Sequence, residues 1–363
     1  MQENILTLPE YPQSVDIWRN LQFERRPIMV YGMGNGADKL FERFSKYGIT
    51  PKEIFASDGF VRGHSFRGYK VLSFSEIKEK YTDFVIVLSF ASNREEVVAM
   101  LADIDREYDM YVPDMPVADE DEYFDRELYN NHYEEISKVY SLLADEESKS
   151  MYAAVINYKL SGKLSYLLDA YTEKNVMYSL LFSRKIRIMI DGGAYNGDTA
   201  REAVEYFPSL SEIYAIEPDG KTFKRLLKYI EIAPVKITPI NAALYSENGS
   251  GEFFTSGNRN STISATASYE NKAETLPFIT VDSLGLLPDY IKYDVEGAEY
   301  EALLGSLETI KKSRPALLVS LYHRSKDMYH LPLFLSELSG YRFYLCRLKC
   351  IPAWELNLIL IPT

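Results

Sequence analysis

The chain has 363 residues, 46% of them hydrophobic, with 53 acidic against 40 basic side chains and a formal net charge of −13. Such a length supports two domains, each able to bury its own core, and the acidic balance speaks against the basic face that a nucleic-acid partner needs. No apolar run approaches the roughly 18 residues of a bilayer span and no signal-peptide pattern opens the chain. Two cysteines, Cys346 and Cys350, are too few for a disulfide framework, so buried thiols in a cytoplasmic protein are expected.

In chain order, residues 15–21 place apolar side chains at helical spacing, giving a short helix within 1–26. Residues 27–115 alternate strands and helices. A strand at 27–31 runs into a turn at 32–37, a helix passes through 39–44, and further strands lie at 53–56 and 83–89. Gly32, Gly34 and Ala37 fit the G-x-G-x-x-G/A pattern between a strand and a helix, and Asp58 lies about 20 residues on. These four are a candidate second nucleotide site, for a nucleotide or nucleotide-sugar, beside a structural or substrate-recognising role. Residues 116–183 form a mainly helical connector, with Tyr, Leu and Ile recurring at three-to-four spacing. The run 102–149 holds 16 acids against 4 bases and reads as a solvated segment.

Residues 184–363 carry the informative pattern. An apolar strand at 186–190 ends in Asp191, turns through Gly192, Gly193, Ala194, Tyr195 and Gly197, and enters a helix at Asp198 and Thr199. A second strand ends at Glu217 and Pro218, a third at Asn241 and Ala242, and a fourth at Asp294 and Glu296. A glycine turn after the first strand and an acid at the tip of the second is the layout that holds an adenosine, the carboxylate accepting the ribose hydroxyls. Nicotinamide dinucleotides and S-adenosylmethionine are both held in this way. The turn here departs from G-x-G-x-x-G, and Asp191 would repel a pyrophosphate. An acidic pocket instead suits the ammonium and sulfonium of S-adenosylmethionine.

These stretches, together with 143–149, 281–284, 314–317, 318–323 and Asp327, Pro332 and Tyr341, resemble the FkbM family of S-adenosylmethionine-dependent methyltransferases over roughly residues 135–363. The resemblance implies a class I, Rossmann-like, seven-stranded methyltransferase domain at 184–363; with the smaller Rossmann-like α/β domain and the helical connector read from the residues before it, the expected architecture is α/β. It also implies O-methylation, usually of a sugar or polyketide hydroxyl. The sequence departs from the family after Arg347, where Leu348, Lys349 and Cys350 follow.

Methyl transfer to a hydroxyl is an in-line displacement that needs alignment and a proton acceptor. Candidate catalytic groups are Asp294, Glu296 and His323, all at strand ends facing the ligand crevice, with His323 closest to neutrality by intrinsic pKa. Asp294 has two alternatives, pairing with Lys292 or holding the donor's amino group. A divalent metal on Asp294 and Glu296 is the less favoured route, since few oxygen donors accompany them. Asp198 and Thr199 are expected to cap their helix and contact the donor, and Tyr195 to flank it. The polar stretch 246–275, with a hairpin around Phe253 and Phe254, reads as a lid. The expected partner is a small-molecule acceptor, a sugar or nucleotide-sugar, with homo-oligomerisation left open. Two alternatives stand beside this reading: a nicotinamide-dependent sugar oxidoreductase centred on Gly32–Asp58, and a donor-binding protein without turnover.

Overall fold

Apolar runs of four or five residues between glycine turns form strands here because helices cover both faces of each sheet. The computed structural model describes residues 8–61, 63–118, 122–182, 185–255 and 272–363. The first sheet is built from β1 (Ile28–Tyr31), β2 (Glu53–Ala56), β3 (Ser65–Phe66), β4 (Tyr69–Ser73), β5 (Val85–Leu88) and β6 (Asp109–Tyr111). Its order is β3-β4-β2-β1-β5-β6, parallel throughout except for the β3–β4 pair. All four residues of β1 and of β5 are buried.

The second sheet uses β7 (Ile188–Gly192), β8 (Glu212–Ile216) and β9 (Lys236–Ile240). A small three-stranded sheet follows, from β10 (Ala243–Leu244), β11 (Gly249–Thr255) and β12 (Lys272–Ile279). The large sheet then resumes with β13 (Tyr290–Tyr293), β14 (Ala316–Ser320), β15 (Tyr341–Arg347) and β16 (Leu356–Pro362). Its seven strands run β15-β16-β14-β13-β7-β8-β9, and only β16 is antiparallel to its neighbours. The strand order reverses between β7 and β13, which opens a crevice at their C-terminal ends.

Between the sheets lie helices Arg126–Asn131, Tyr133–Leu142, Glu146–Ser161, Ser165–Leu168 and Lys174–Ser179. Asp145 starts the longest of them, its carboxylate accepting the Ser148 amide at 2.8 Å, and Gly162 stops it in the left-handed conformation. This helix buries Tyr152, Val155, Ile156 and Tyr158 in a core cluster that also contains Met29 and Ile86 of the first sheet and Leu317 and Leu358 of the second. The acid run 102–149 is therefore only partly a solvated segment. Asp114 pairs with buried Lys159, and Asp125 pairs with Arg43 at 2.5 Å, while Ile136, Val139 and Tyr140 face the core.

Backbone bonds join segments that follow the strand ends of the two sheets, the Ala118 amide donating to the His323 carbonyl at 2.9 Å. Ser92, just after β5, donates to the Ile351 carbonyl at 2.7 Å and accepts from the Ile351 amide at 2.9 Å. Cys346 and Cys350 are buried and are not joined in a disulfide. No helix among the described residues is long and apolar enough to cross a membrane.

Candidate active site

The turn after β7 is dictated by a close approach. A Cβ on Gly193 (φ +76°) would lie 1.8 Å from the Asp294 carbonyl oxygen, so β7 and β13 can end side by side only around glycine. The amides of Gly193 and Ala194 both donate to the Ile216 carbonyl at 3.0 Å. Tyr195 follows with φ +46°, a left-handed backbone that costs an ordinary residue energy. Gly197, also left-handed, holds the cap position of helix Asp198–Tyr206. Asp198 is therefore the first helical residue, and its carboxylate accepts the adjacent Thr199 amide at 2.9 Å.

Glu217, at the tip of β8, braces this turn. One carboxylate oxygen accepts the Tyr195 amide at 2.9 Å and the other the Asp219 amide at 2.8 Å, leaving each oxygen a further lone pair. Burial pushes its pKa up to about 8. Asn241 donates to the Glu217 and Pro218 carbonyls at 2.8 and 3.0 Å, and so fixes the acid from behind. Asp219 caps helix Gly220–Ile230 through the Lys221 and Thr222 amides.

A cavity of about 600 Å³ opens at these strand ends. Gly193, Tyr195, Asp198, Thr199, Glu217, Pro218, Ala242, Asp294 and Glu296 line it, whereas Asp191, Gly192, Ala194, Gly197 and His323 are buried behind it and Asn241, which is exposed, does not line it. Asp191 is fully buried, and burial lifts its pKa to about 7 despite the Lys292 ammonium 3.7 Å away. Lys292 lies 3.1 Å from Asp294. Burial opposes its charge, but Asp294 and Asp191 keep its pKa above the ordinary lysine value.

Asp294 accepts hydroxyl hydrogen bonds from Ser320 at 2.8 Å and Tyr322 at 2.9 Å. Burial works against its ionisation, yet Lys292, His323 and Ser320 hold it well below the usual carboxylate range. Glu296 has φ +56°, and its carboxylate lies 3.4 Å from His323 Nε2.

His323 itself is 0% exposed. Its Nδ1 lies 2.9 Å from Glu299, and its Nε2 is 3.6 Å from Asp294. Burial opposes its charge, but Glu299, Glu296 and Asp294 outweigh burial and raise its pKa to about 10. His323 is nearest neutrality only by its intrinsic pKa; its burial among carboxylates is something sequence spacing does not reveal.

The candidate nucleotide site on the first sheet is arranged differently. Gly32 (φ +111°) and Gly34 (φ +104°) do make the turn into helix Asn35–Tyr47, where Ala37 is buried. A Cβ on Gly32 would meet Phe90 and Ser89 at 2.8 Å, so that glycine admits the chain's own loop. Asp58 spends its carboxylate on the amide and hydroxyl of Ser75, at 3.0 and 2.5 Å. None of the four lines the cavity.

Other wall residues escaped the sequence reading. Asn93 and Glu95 reach the cavity from the first sheet's β5 edge, Tyr171 and Lys174 from the connector, and Lys349 and Glu355 from the stretch between β15 and β16. The Lys349 ammonium sits 5.2 Å from the Tyr171 ring centre. Only tertiary packing brings these together. The expected hairpin exists as the antiparallel β11–β12 pair, and the centre of the proposed lid, 256–271, lies outside the described residues. Among the described residues, no group of three or more His, Cys, Asp or Glu is placed to hold a metal ion.

A seven-stranded sheet with its penultimate position reversed, a glycine turn after the first strand and an acid after the second define the class I, Rossmann-like methyltransferase fold. Residues 191–343 match the family model described as the Methyltransferase FkbM domain. The chain carries an FkbM-family methyltransferase domain. Over 99% of its length and 96% of the other chain it is similar to the crystal structure of Methyltransferase FkbM from Methylobacillus flagellatus KT, with a TM-score of 0.67 at 17% identity. A lesser likeness is to the O-methyltransferase TomG from Streptomyces achromogenes, in complex with SAM, covering 61% of this chain and 92% of that one (TM-score 0.35, 11% identity). Aeropyrum pernix fibrillarin with bound S-adenosyl-L-methionine gives a TM-score of 0.30 at 13% identity, over 49% and 67% of the two chains. No curated protein matches the chain.

Proposed function

We propose that the protein is an S-adenosylmethionine-dependent O-methyltransferase acting on a hydroxyl of a sugar or sugar-containing small molecule. The observation that carries this reading is the acid-rich cavity at the C-terminal ends of β7, β8 and β13, which Glu217, Asp198, Asp219 and Asp294 all line. Such a lining suits a ligand with two positive centres and disfavours a pyrophosphate. When bound, S-adenosylmethionine supplies an electrophilic methyl group.

The chain's residues then have separable tasks. Glu217 accepts the ribose hydroxyls with its remaining lone pairs, and Ala242 allows close approach of the adenine. Asp294, held anionic by Lys292, faces the amino-acid end of the donor. Asp294, Glu296 and His323 together handle the hydroxyl proton. Asn93, Glu95, Tyr171 and Lys349, which also line the cavity, offer amide, carboxylate, aromatic and ammonium groups to a polyhydroxylated acceptor. Through Asn93 and Glu95 the N-terminal unit takes part in substrate recognition.

Calorimetry with S-adenosylmethionine, followed by labelled methyl transfer to a panel of glycosides and nucleotide-sugars, tests the proposal. Absence of donor binding by folded protein would overturn it, and donor binding without transfer to any acceptor favours a binding protein. Glu217→Ala is expected to weaken donor binding by about 1–3 kcal/mol, by loss of its hydrogen bonds to the ribose hydroxyls. Unchanged affinity would remove Glu217 from the site. The oxidoreductase alternative would place its ligand away from this cavity, since none of Gly32, Gly34, Ala37 and Asp58 lines it.

A further inference from the structure

The functional reading leaves three groups sharing one proton-handling task, and their surroundings divide the labour. Carboxylates lie near both ring nitrogens of His323, though neither nitrogen makes a hydrogen bond in this structure: Glu299 is 2.9 Å from Nδ1, and Glu296 and Asp294 are 3.4 and 3.6 Å from Nε2. Its ring is covered by Tyr322, with ring centres 4.2 Å apart, and it does not reach the cavity. Asp294 is already surrounded by Lys292, Ser320 and Tyr322. Glu296 lines the cavity with its side chain 28% exposed. Glu299, 1% exposed, gathers the loop beneath it, because one of its oxygens accepts the Val295 amide at 2.8 Å and the Gly297 amide at 3.4 Å.

We propose that His323 is a positioning residue and not the base: an imidazolium that ties Glu296 at the cavity wall to Glu299 behind it, so that Glu296 receives the acceptor's proton. A doubly protonated ring puts positive charge between two flanking carboxylates, whereas a neutral ring would leave one nitrogen lone pair close to an anion. The tie also explains how Glu296 is kept at φ +56°, a conformation that persists only when its surroundings over-determine it. The charged groups facing the ring are Asp294 and Glu296 from the loop after β13 and Glu299 from the following helix. The nearby cations are directed elsewhere, Arg324 to the Gly297 carbonyl at 2.8 Å and Lys292 to Asp294. In the transfer, the hydroxyl O–H bond breaks toward Glu296 as the oxygen–methyl bond forms. The methyl–sulfur bond breaks with its electron pair left on sulfur, and neutral thioether, methyl ether and protonated Glu296 result.

The assignment rests on reading the cavity as a donor site, and its test separates the two. Replacing His64, His132 and His330 by Gln leaves His323 as the sole histidine, whose ring nitrogens are then followed by nitrogen NMR against pH. The ring is expected to remain doubly protonated at about pH 8, well above the ordinary value of about 6.5. Adding Glu299→Gln should lower its midpoint by at least about one pH unit. A neutral ring at pH 8, or a midpoint that Glu299→Gln leaves in place, overturns the inference. Titrating S-adenosylmethionine into the same sample reads the donor site independently. No heat beside a protonated His323 overturns the donor reading and the role of Glu296 with it, while normal heat beside a neutral His323 overturns the tie alone.

Discussion

Asp191 and Glu217 are carboxyls held near pKa 7 and 8 by burial, and His323 is an imidazole held near 10 by its neighbours. Their signs agree. The folded chain keeps protons on the two acids that the unfolded chain releases near pH 4, so stability falls as pH rises from about 4 to 8. His323 contributes stability that is complete below about pH 6.5 and lost as pH rises through 10. Asp294, depressed, acts oppositely: its contribution is present above about pH 4 and lost in stronger acid. The ligand-free protein should therefore show a melting temperature that declines steadily between about pH 6 and 9.5 in scanning calorimetry, and Glu217→Gln should flatten the lower part of that decline. A rising curve over this span would refute the assigned charge states.

At the scale of elements, the junction of β7 and β13 is the least tolerant place in the fold. Gly193→Ala must displace the Asp294 carbonyl and adopt φ +76°. Overpacking of this kind costs about 1–3 kcal/mol, and it moves Asp294 and Glu296 as well. Denaturant unfolding should register the loss, and donor calorimetry should show little or no heat; wild-type behaviour in both would mean that the strands can part freely. This junction was readable in the sequence, because an apolar run ending in Asp191-Gly192-Gly193 and another ending in Asp294 are local patterns. The turn acid Glu217 was readable for the same reason. The protonation of His323 was not, since it depends on Glu299 and Glu296 arriving around a strand end 24 or more residues away. Nor were Asn93, Tyr171 and Lys349 as cavity wall, because each sits on a different element with no shared periodicity.

Across the whole molecule, the helices between the sheets belong to the methyltransferase sheet as much as to the linker that sequence composition suggested. Leu345 of β15 donates its amide to the Ser148 hydroxyl at 2.9 Å, and the buried Tyr152 hydroxyl donates to the Met328 carbonyl at 3.1 Å. Arg347 sends its guanidinium to the carbonyls of Leu167, Ala170 and Cys350. A fragment of residues 184–363 alone would expose this apolar face and orphan a buried guanidinium. It should lack a cooperative unfolding transition by circular dichroism, whereas a fragment beginning before helix Arg126–Asn131 should regain one; a cooperative 184–363 fragment would show the helices to be dispensable. The two backbone bonds between Ser92 and Ile351 carry a last implication. They hold the loop after β5 against the 348–355 segment, so that Asn93 and Lys349 line one cavity, and lengthening or shortening that segment is expected to change which acceptors are methylated while donor calorimetry is unmoved.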